Sequence, residues 1–334
     1  MGKKFRNILT YVIFLGLGLL LLYLVYRKVD FAEMWAKMKQ AKLWAIALSA
    51  LMGYLAIVSR GVRWVTLIEP LGYKPNVWNS VHSVAFSYLS NTFIPRSGEL
   101  ARCGALNQTD GIPVDKLFGT VITERVVDFI MLFIYMAIAL IGNSSQFMQL
   151  WDEASLSESM LFWMKIGIAG MAVGLVVLYF LRKKIAQTAL FLKIKPFLLG
   201  LKDGVGAIMT MKRKWAFIGH TLFIWIMYFS MAYVMFLGIP GLEDTPLLTV
   251  LLVMIAGGWG MIFPSPGGVG SYHGATEVAF RVLGLGEKIG KVYAALVWFI
   301  QAFMIILTGG IGFIWITVVK LRRQREQIAA LEND

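Results

Sequence analysis

The chain has 334 residues, of which 58% are hydrophobic and only 15% are charged, with a formal net charge of +13. Soluble domains carry about 25% charged residues, so this composition excludes a water-soluble fold and indicates an integral membrane protein. The single cysteine, Cys103, excludes an intramolecular disulfide framework and a cysteine-based metal site.

Eight apolar segments follow one another along the chain, and most approach the roughly 20 residues that a helix needs to cross a bilayer. They are residues 8–26, 43–60, 77–94, 117–141, 161–181, 215–237, 246–263 and 292–319. The first segment has no small-residue cleavage site at its end, and we interpret it as an uncleaved anchor. The pattern predicts an all-α polytopic membrane protein with a single membrane domain over residues 1–334.

The positive charge lies beside these apolar segments. Residues 182–214 hold nine Lys or Arg and one Asp, and further basic residues precede the first segment and follow the last. Cytoplasmic loops carry such an excess, which predicts a basic cytoplasmic linker at 182–214, a basic cytoplasmic tail at 320–334, and both termini in the cytoplasm. The charge predicts anionic membrane lipids as partners rather than nucleic acid, and places the chain in the cytoplasmic (inner) membrane.

The loop charges are incompatible with eight full crossings. We interpret Arg60 and Arg63 as cytoplasmic and the acidic loop at 142–160 as external, so segment 77–94 must enter and leave on the cytoplasmic side. The same reasoning makes segment 246–263 enter and leave from the external side. We therefore predict six full transmembrane helices and two re-entrant helical hairpins that are inverted relative to each other.

Residues 27–42 do not fit this topology, since they would be external and yet hold five basic residues and two acids. Phe31, Met34, Trp35 and Met38 recur at helical spacing. This pattern is typical of an amphipathic helix that lies in the membrane interface, where its charges need not decide the topology.

The two hairpins occupy equivalent places in a weak internal repeat. The units at 43–141 and 215–319 each contain a span, a hairpin and a second span, and the sequence FIPRSG at 93–98 resembles IFPSPG at 262–267. Repeats of opposite orientation are typical of transporters whose sites lie near the membrane midplane, between broken helices. The sequence therefore predicts an inverted-repeat, transporter-like architecture.

The first break, NTFIPRSGELAR at 91–102, has the residue types of an anion site. Pro95 ends one helix and Ser97 is expected to cap the next, whose unpaired N–H groups suit a negative charge. Arginine can hold a phosphate with two donors at once, while Glu99 could pair with an arginine or carry a proton. An ordinary salt-bridged cytoplasmic turn is the alternative. The candidate substrate-binding residues here are Asn91, Arg96, Glu99 and Arg102.

The fourth segment contains TERVVD at 123–128, with Glu124 and Asp128 one helical turn apart and Arg125 beside them. Ionisable residues within a span are rare and face a cavity or one another. We assign Arg125 to substrate binding and both acids to proton coupling. Glu124 is expected to pair with Arg125 and to exchange it for a proton when an anionic lipid arrives. The alternative is an internal ion pair that locks this helix to the hairpin.

The second break supplies two further kinds of candidate. Gly267 and Gly268 permit a close backbone approach to a substrate, although glycines also serve tight turns. His273 and Glu277 are candidates for proton coupling, with a buried core histidine as the alternative for the former. The sequence holds no recognisable catalytic, metal-binding or cofactor motif, and no nucleotide-binding GxxxxGK[ST], so movement is expected to be passive or gradient-driven.

Three motifs in this order carry a family resemblance: N-x-x-x-P-x-x-G-E-x-x-R at 91–102, E-R-x-x-D at 124–128, and P-x-P-G-G-x-G at 264–270. The arrangement resembles the flippase-like transmembrane family, which includes the membrane part of lysylphosphatidylglycerol synthases, the multiple peptide resistance factors. The resemblance covers roughly residues 8–320. It implies two inverted re-entrant hairpins and movement of a lipid between leaflets. Nothing after residue 320 resembles the soluble aminoacyl-transferring domain, so synthase activity is not expected.

These features predict a flippase for an anionic phospholipid or a polyprenyl-linked lipid, and not an enzyme. Two other classes remain open from the residues. An intramembrane enzyme acting on lipid phosphate could recruit Glu99, Glu124 and His273 for acid–base chemistry. An ion-coupled transporter of small solutes would share the same architecture. The sequence indicates no oligomeric state.

Overall fold

The computed structural model describes residues 20 and 23 and the ranges 31–144, 211–262 and 265–332. The predicted anchor at 8–26, apart from residues 20 and 23, and the predicted span at 161–181 lie outside these residues. Most of the acidic loop and of the basic linker also lie outside them.

The secondary structure of the described part is helical, with two short 3-10 turns at Glu69–Leu71 and Pro266–Gly268. Its α-helices are numbered here in chain order. They are α1 Phe31–Lys39, α2 Leu43–Ile68, α3 Val77–Phe93, α4 Gly98–Asp110, α5 Val114–Gly142, α6 Lys214–Gly238, α7 Leu247–Ile262, α8 Ser271–Val282 and α9 Glu287–Glu332.

Four of these helices, α2, α5, α6 and α9, are long and apolar enough to cross a membrane. The outward face of α5 exposes Phe133, Ile134 and Ile138 together, as a lipid-facing helix does and a water-facing one rarely does. The predicted all-α, multi-pass membrane architecture is thus confirmed. The count of eight segments and the inversion of the two units stay predictions.

Helix α2 extends beyond the predicted span, and this overturns one step of the topology argument. The helix continues to Ile68, so Arg60 and Arg63 lie inside it and not in a cytoplasmic loop. Both side chains are buried, Arg63 completely. Burial of these two arginines is tolerated because carboxylates on α5 form ion pairs with them. Their charge therefore does not mark the cytoplasmic end of this span.

Two pairs of shorter helices lie where the hairpins were predicted. Helices α3 and α4, of 17 and 13 residues, pack against each other, as do α7 and α8, of 16 and 12 residues. At 1.5 Å per residue each is about 18–26 Å long, less than the roughly 30 Å of a hydrocarbon core. The order long, short, short, long thus occurs twice in the described part.

The break between α3 and α4 is held by side chains, though not as the sequence suggested. Ser97 stands at the cap position but makes no capping bond; its hydroxyl lies 2.6 Å from the Ser90 hydroxyl. Asn91 takes over the capping, since its Oδ1 accepts a 2.7 Å hydrogen bond from the Gly98 N–H. Ser97 is already in a helical conformation, which turns its side chain towards the preceding helix.

Close packing joins the last helix to the first hairpin. A side chain at Gly312 of α9 would come within 2.7 Å of the His82 carbonyl oxygen on α3, and one at Gly309 within 3.0 Å of the Ala85 carbonyl oxygen. Helices α2 and α6 also pack side by side. These contacts join two sets of helices, α2–α5 and α6–α9. The two sets enclose a cavity between them.

Candidate functional site

A cavity of about 400 Å³ lies between the two sets of helices. Seven helices, α2, α3 and α5 to α9, contribute to its wall. Most of the wall is aliphatic, aromatic or methionine, and the ionisable side chains of the wall include Arg60, Arg125 and Asp128. A small-molecule site typically encloses about 300–1,000 Å³ with a few placed polar groups, so this cavity has the size and character of a binding site.

Arg60 and two tyrosines define the polar end of the cavity. Arg60 Nη2 donates a 2.7 Å hydrogen bond to Asp128 Oδ2, and the guanidinium lies 5.9 Å from the centre of the Tyr88 ring. The Tyr88 hydroxyl lies 3.4 Å from the Tyr228 hydroxyl. Tyr88 belongs to the first hairpin and Tyr228 to α6, so hydroxyl groups from both sets of helices meet beside one arginine.

An ion-pair network lies directly behind this end. Arg63 Nη2 donates to Glu124 Oε1 at 3.0 Å and to Asp128 Oδ1 at 2.9 Å, while Arg102 Nη1 donates to Glu124 Oε2 at 2.9 Å. Glu124 has no exposed surface, and Arg102 is 2% exposed. The network therefore connects α2, α4 and α5 in a setting where unpaired charge is very costly.

The aromatic surroundings support the buried arginines. The Arg102 guanidinium lies 4.8 Å from the Trp64 ring centre, and that of Arg63 lies 5.6 Å from the Phe217 ring centre. Trp64 is itself fixed by a 2.8 Å hydrogen bond from Nε1 to Thr120 Oγ1. Aromatic faces attract cations, so these contacts stabilise charge that water cannot reach.

The charges of this network do not cancel. Three arginines, Arg60, Arg63 and Arg102, face two carboxylates, Glu124 and Asp128, so one positive charge is in excess. Among their nitrogens, Arg60 Nε and Arg102 Nη2 are buried and make no hydrogen bond within the described chain. Of the three arginines, Arg60 is the one that lines the cavity. An anion at this end would restore neutrality.

Arg125 lies at the cavity wall but pairs with a different acid from the one expected. Its Nη2 donates a 2.8 Å hydrogen bond to Glu99 Oε1, and its side chain is 41% exposed. The predicted pair with Glu124 is wrong. Successive residues on an α-helix point about 100° apart, so Glu124 points to Arg63 and Arg102 while Arg125 points to the cavity and to Glu99 in the first turn of α4.

The other residues predicted in the first break have separate roles. Arg102 lies in the buried network and does not contribute to the cavity wall. Asn91 caps α4. Arg96 has a φ of 61°, a left-handed conformation that residues other than glycine rarely adopt, and its Nη2 donates to the Ile262 carbonyl oxygen at 3.3 Å.

The second break lies against the first. Gly267 has a φ of 58°, and a side chain there would approach Thr92 of α3 at 3.6 Å. Its carbonyl oxygen accepts a 2.8 Å hydrogen bond from Trp298 Nε1. Gly268, with a φ of 71°, also has the conformation that glycine allows. Gly267 therefore lies at the contact between the breaks, Gly268 lies against Met261 of α7, and neither glycine contributes to the cavity wall.

The two remaining proton-coupling candidates lie apart from the cavity wall. Glu277 of α8 lies 3.6 Å from Lys291 Nζ of α9. His273 is 4% exposed, and its ring centre lies 5.6 Å from that of Trp298. At the start of α8, the Ser271 hydroxyl lies 2.8 Å from that of Ser265. Of the four proton-coupling candidates, Asp128 lines the cavity and Glu124 lies directly behind it.

Sequence reasoning missed Arg60, Arg63, Tyr88 and Tyr228 as site residues. A signal for the arginines was present, because the apolar sequence WVTLI continues directly after Arg63 at 64–68. When apolar residues follow a charged residue without a break, the helix is expected to continue and the charged residue to lie within the span. The tyrosines had no comparable signal, since aromatic residues are common throughout the chain.

Comparison with known proteins agrees with this architecture. A search of curated proteins finds no match. The family model described as lysylphosphatidylglycerol synthase TM region matches residues 8–310, which include every residue of the cavity and of the ion-pair network. The chain therefore belongs to the lysylphosphatidylglycerol synthase transmembrane-region family.

Proposed function

We propose that this protein moves an anionic lipid, either a phospholipid or a polyprenyl-linked lipid, between the leaflets of the cytoplasmic membrane. The family match supports a lipid-related membrane function. The cavity adds a space with a mostly apolar wall that also carries the charged side chains of Arg60, Arg125 and Asp128. A lipid has the same division into an apolar part and a charged part.

The excess positive charge beside the cavity is the observation that carries this proposal. Arg60 presents a guanidinium at the cavity wall, with hydroxyl groups of Tyr88 and Tyr228 beside it. A guanidinium and hydroxyl donors together suit the oxygens of a phosphate. In this low-dielectric setting the phosphate would compensate the charge that Glu124 and Asp128 leave unpaired.

The proposed topology gives the lipid a route. In it, α3–α4 and α7–α8 are re-entrant hairpins that enter from opposite sides, within eight apolar segments and with both termini in the cytoplasm. Their shortness and the irregular backbone at 94–97 and 265–270 support this arrangement, because such backbone is tolerated at membrane depth where it lines a cavity or is buried in protein. We propose a transport role without catalysis.

The test is a leaflet-exchange assay in liposomes that contain the purified protein. We expect the protein to accelerate loss of fluorescence when dithionite is added outside to liposomes with fluorescent phosphatidylglycerol. Arg60→Gln should reduce this rate to that of protein-free liposomes, while Arg322→Gln, on the exposed end of α9, should not.

Two parallel measurements distinguish the alternatives. Release of the headgroup or of phosphate from the lipid would identify an enzyme, and uptake of a trapped small solute without lipid exchange would identify a solute transporter. If no anionic lipid, phospholipid or polyprenyl-linked, exchanges faster than in protein-free liposomes, the proposed function is wrong.

A further inference from the structure

Gln301 of α9 is a polar residue of the cavity wall to which the site described above gives no role. Val297, Met304 and Ile305, three or four residues away on the same helix, also line the cavity. Residues at this spacing share one face of a helix. Gln301 therefore lies in the middle of the face that α9 turns towards the cavity, and its side chain is half-buried there.

The amide of Gln301 forms no hydrogen bond with another residue of the described ranges. The nearest polar side chains on α9 are paired. Trp298 Nε1 donates to the Gly267 carbonyl oxygen at 2.8 Å, and Thr308 Oγ1 donates to the Met304 carbonyl oxygen at 2.8 Å. Polar groups within proteins are normally paired, so an amide left available at a cavity wall indicates a partner that enters the cavity.

Gln301 lies far from both ends of the apolar run of α9 at 292–319. Nine residues separate it from the start of this run, which is about 14 Å along the helix. Lysine and arginine near the ends of a span can extend their charged groups to the membrane interface. A glutamine at this depth is too short to do so. The partner of the amide must therefore come from within the protein or from what the cavity binds.

A hydrocarbon chain is a poor neighbour for this amide. In a hydrated cavity, water pairs with the amide. A lipid that fills the cavity displaces this water, and a chain placed against Gln301 would leave the amide buried without a partner, which weakens binding. An oxygen of the headgroup would replace the lost hydrogen bond. The orientation of the lipid that satisfies the wall therefore places the headgroup between Arg60 and Gln301.

The two sets of helices contribute different chemistry to such a headgroup. The charged side chains of the wall, Arg60, Arg125 and Asp128, belong to α2 and α5. The hydrogen-bonding side chains that α6–α9 contribute, which include Tyr228 and Gln301, are uncharged at neutral pH. A guanidinium suits the phosphate charge, whereas an amide, which both donates and accepts, suits an uncharged hydroxyl or a single oxygen.

We propose that Gln301 is a substrate-binding residue whose amide forms a hydrogen bond with an oxygen of the lipid headgroup while the phosphate lies at Arg60. This rests on the proposed function and adds a specificity-determining contact to it. Two sources of the oxygen fit this chemistry. One is a hydroxyl of the alcohol that is esterified to the phosphate, and the other is an oxygen of the phosphate itself.

Gln301→Met removes the hydrogen-bonding groups and keeps a long, unbranched side chain. Met231 and Met304 already line the cavity, so a further methionine suits this wall. Thr308→Val is the matched control, because Thr308 lies on the same helix, outside the cavity wall, and bonds within its own helix. Since the amide has no partner in the described part of the chain, Gln301→Met should keep the Tm within about one degree of the parent or raise it.

The experiment measures binding of radiolabelled dioleoyl phosphatidylglycerol and dioleoyl phosphatidate to the purified full chain in maltoside detergent. The two lipids have the same acyl chains and differ in the glycerol on the phosphate. Gln301→Met should weaken phosphatidylglycerol binding by about fivefold, the effect of one lost hydrogen bond, and Thr308→Val by less than about twofold. A loss confined to phosphatidylglycerol assigns the contact to a hydroxyl of the headgroup, whereas an equal loss for both lipids places it at the phosphate that they share.

The failure of this inference differs from the failure of the proposed function. Undiminished binding of both lipids to the Gln301→Met variant overturns the inference and leaves lipid transport intact. A Tm that falls by several degrees would show that the amide stabilises the fold, and it would overturn the inference as well. If the parent itself binds neither lipid, the cavity is not a phospholipid site and the proposed function loses its main support.

Discussion

Arg102 Nη1 and Glu124 Oε2 lie 2.9 Å apart in a buried ion pair that joins the second helix of the first hairpin to α5. The other oxygen of the same carboxylate accepts from Arg63 of α2 at 3.0 Å. One carboxylate therefore holds three helices together. Its loss would leave three buried arginines with Asp128 as the remaining acid of the network.

We predict that Glu124→Gln destabilises the protein strongly. Removing one partner from a buried ion pair costs about 3–5 kcal/mol, because the other charge is left uncompensated. The Tm of the purified protein in detergent should fall by several degrees, whereas Glu326→Gln, on the exposed end of α9, should leave it unchanged. A Glu124→Gln protein that melts within about one degree of the parent would show that the network contributes little to stability.

We predict that Arg60 is more important for transport than for folding. Arg60→Lys keeps the charge but loses the planar, two-donor geometry, so transport should decrease partially, and Arg60→Gln should abolish it. The leaflet-exchange rate per inserted protein is the measurement, with circular dichroism as the check on folding. Full transport by a folded Arg60→Gln variant would contradict a phosphate contact at this residue.

We predict that both ends of each hairpin lie on the same side of the membrane. Lys74 and Lys116 flank α3–α4, Asp244 and Lys288 flank α7–α8, and all four are exposed. In a Cys103→Ala background, cysteines at the first two positions should react with an impermeant maleimide from the cytoplasmic side. Cysteines at the last two should react from the external side. Labelling of positions 74 and 116 from opposite sides would exclude a re-entrant first hairpin.

We predict that transport responds to an imposed pH gradient through Asp128. This carboxylate lines the cavity and its side chain is 12% exposed, whereas Glu124 has no exposed surface. A lipid phosphate at Arg60 would compete with Asp128 for this guanidinium, and the displaced carboxylate is the group that we expect to couple transport to the gradient. Asp128→Asn should remove the response, while Glu277→Gln, away from the cavity wall, should retain it. A parent rate that is equal under opposite pH gradients would indicate passive exchange.

The breaks in the fold were predictable because their chemistry is local. Pro95 and the Pro-Gly cluster at 264–270 disfavour a regular helix, so the sequence alone located the two breaks between helices. The interpretation of Arg60 and Arg63 failed because basic residues at the end of an apolar run usually mark the cytoplasmic side. Two carboxylates more than sixty residues away neutralise them, and such a pairing leaves no local signal.

The sequence identified several residues of the site but not how they pair with one another. Glu124, Arg125 and Asp128 were recognised because charge within a span is costly and requires a reason. The pairing of neighbours Glu124 and Arg125 was wrong because helix geometry turns them to different faces. The contribution of Tyr228 depends on α6 packing beside α2, a tertiary contact that periodicity does not specify.

The contact between the two hairpin breaks gives the molecule a pivot. Arg96 donates to the carboxyl end of α7 through the Ile262 carbonyl oxygen, at 3.3 Å, and Gly267 lies against Thr92. Neither hairpin can shift along the membrane normal without breaking this contact or displacing the other hairpin. A rearrangement that keeps the contact must therefore move the two breaks together, so the position of one pair of short helices depends on that of the other.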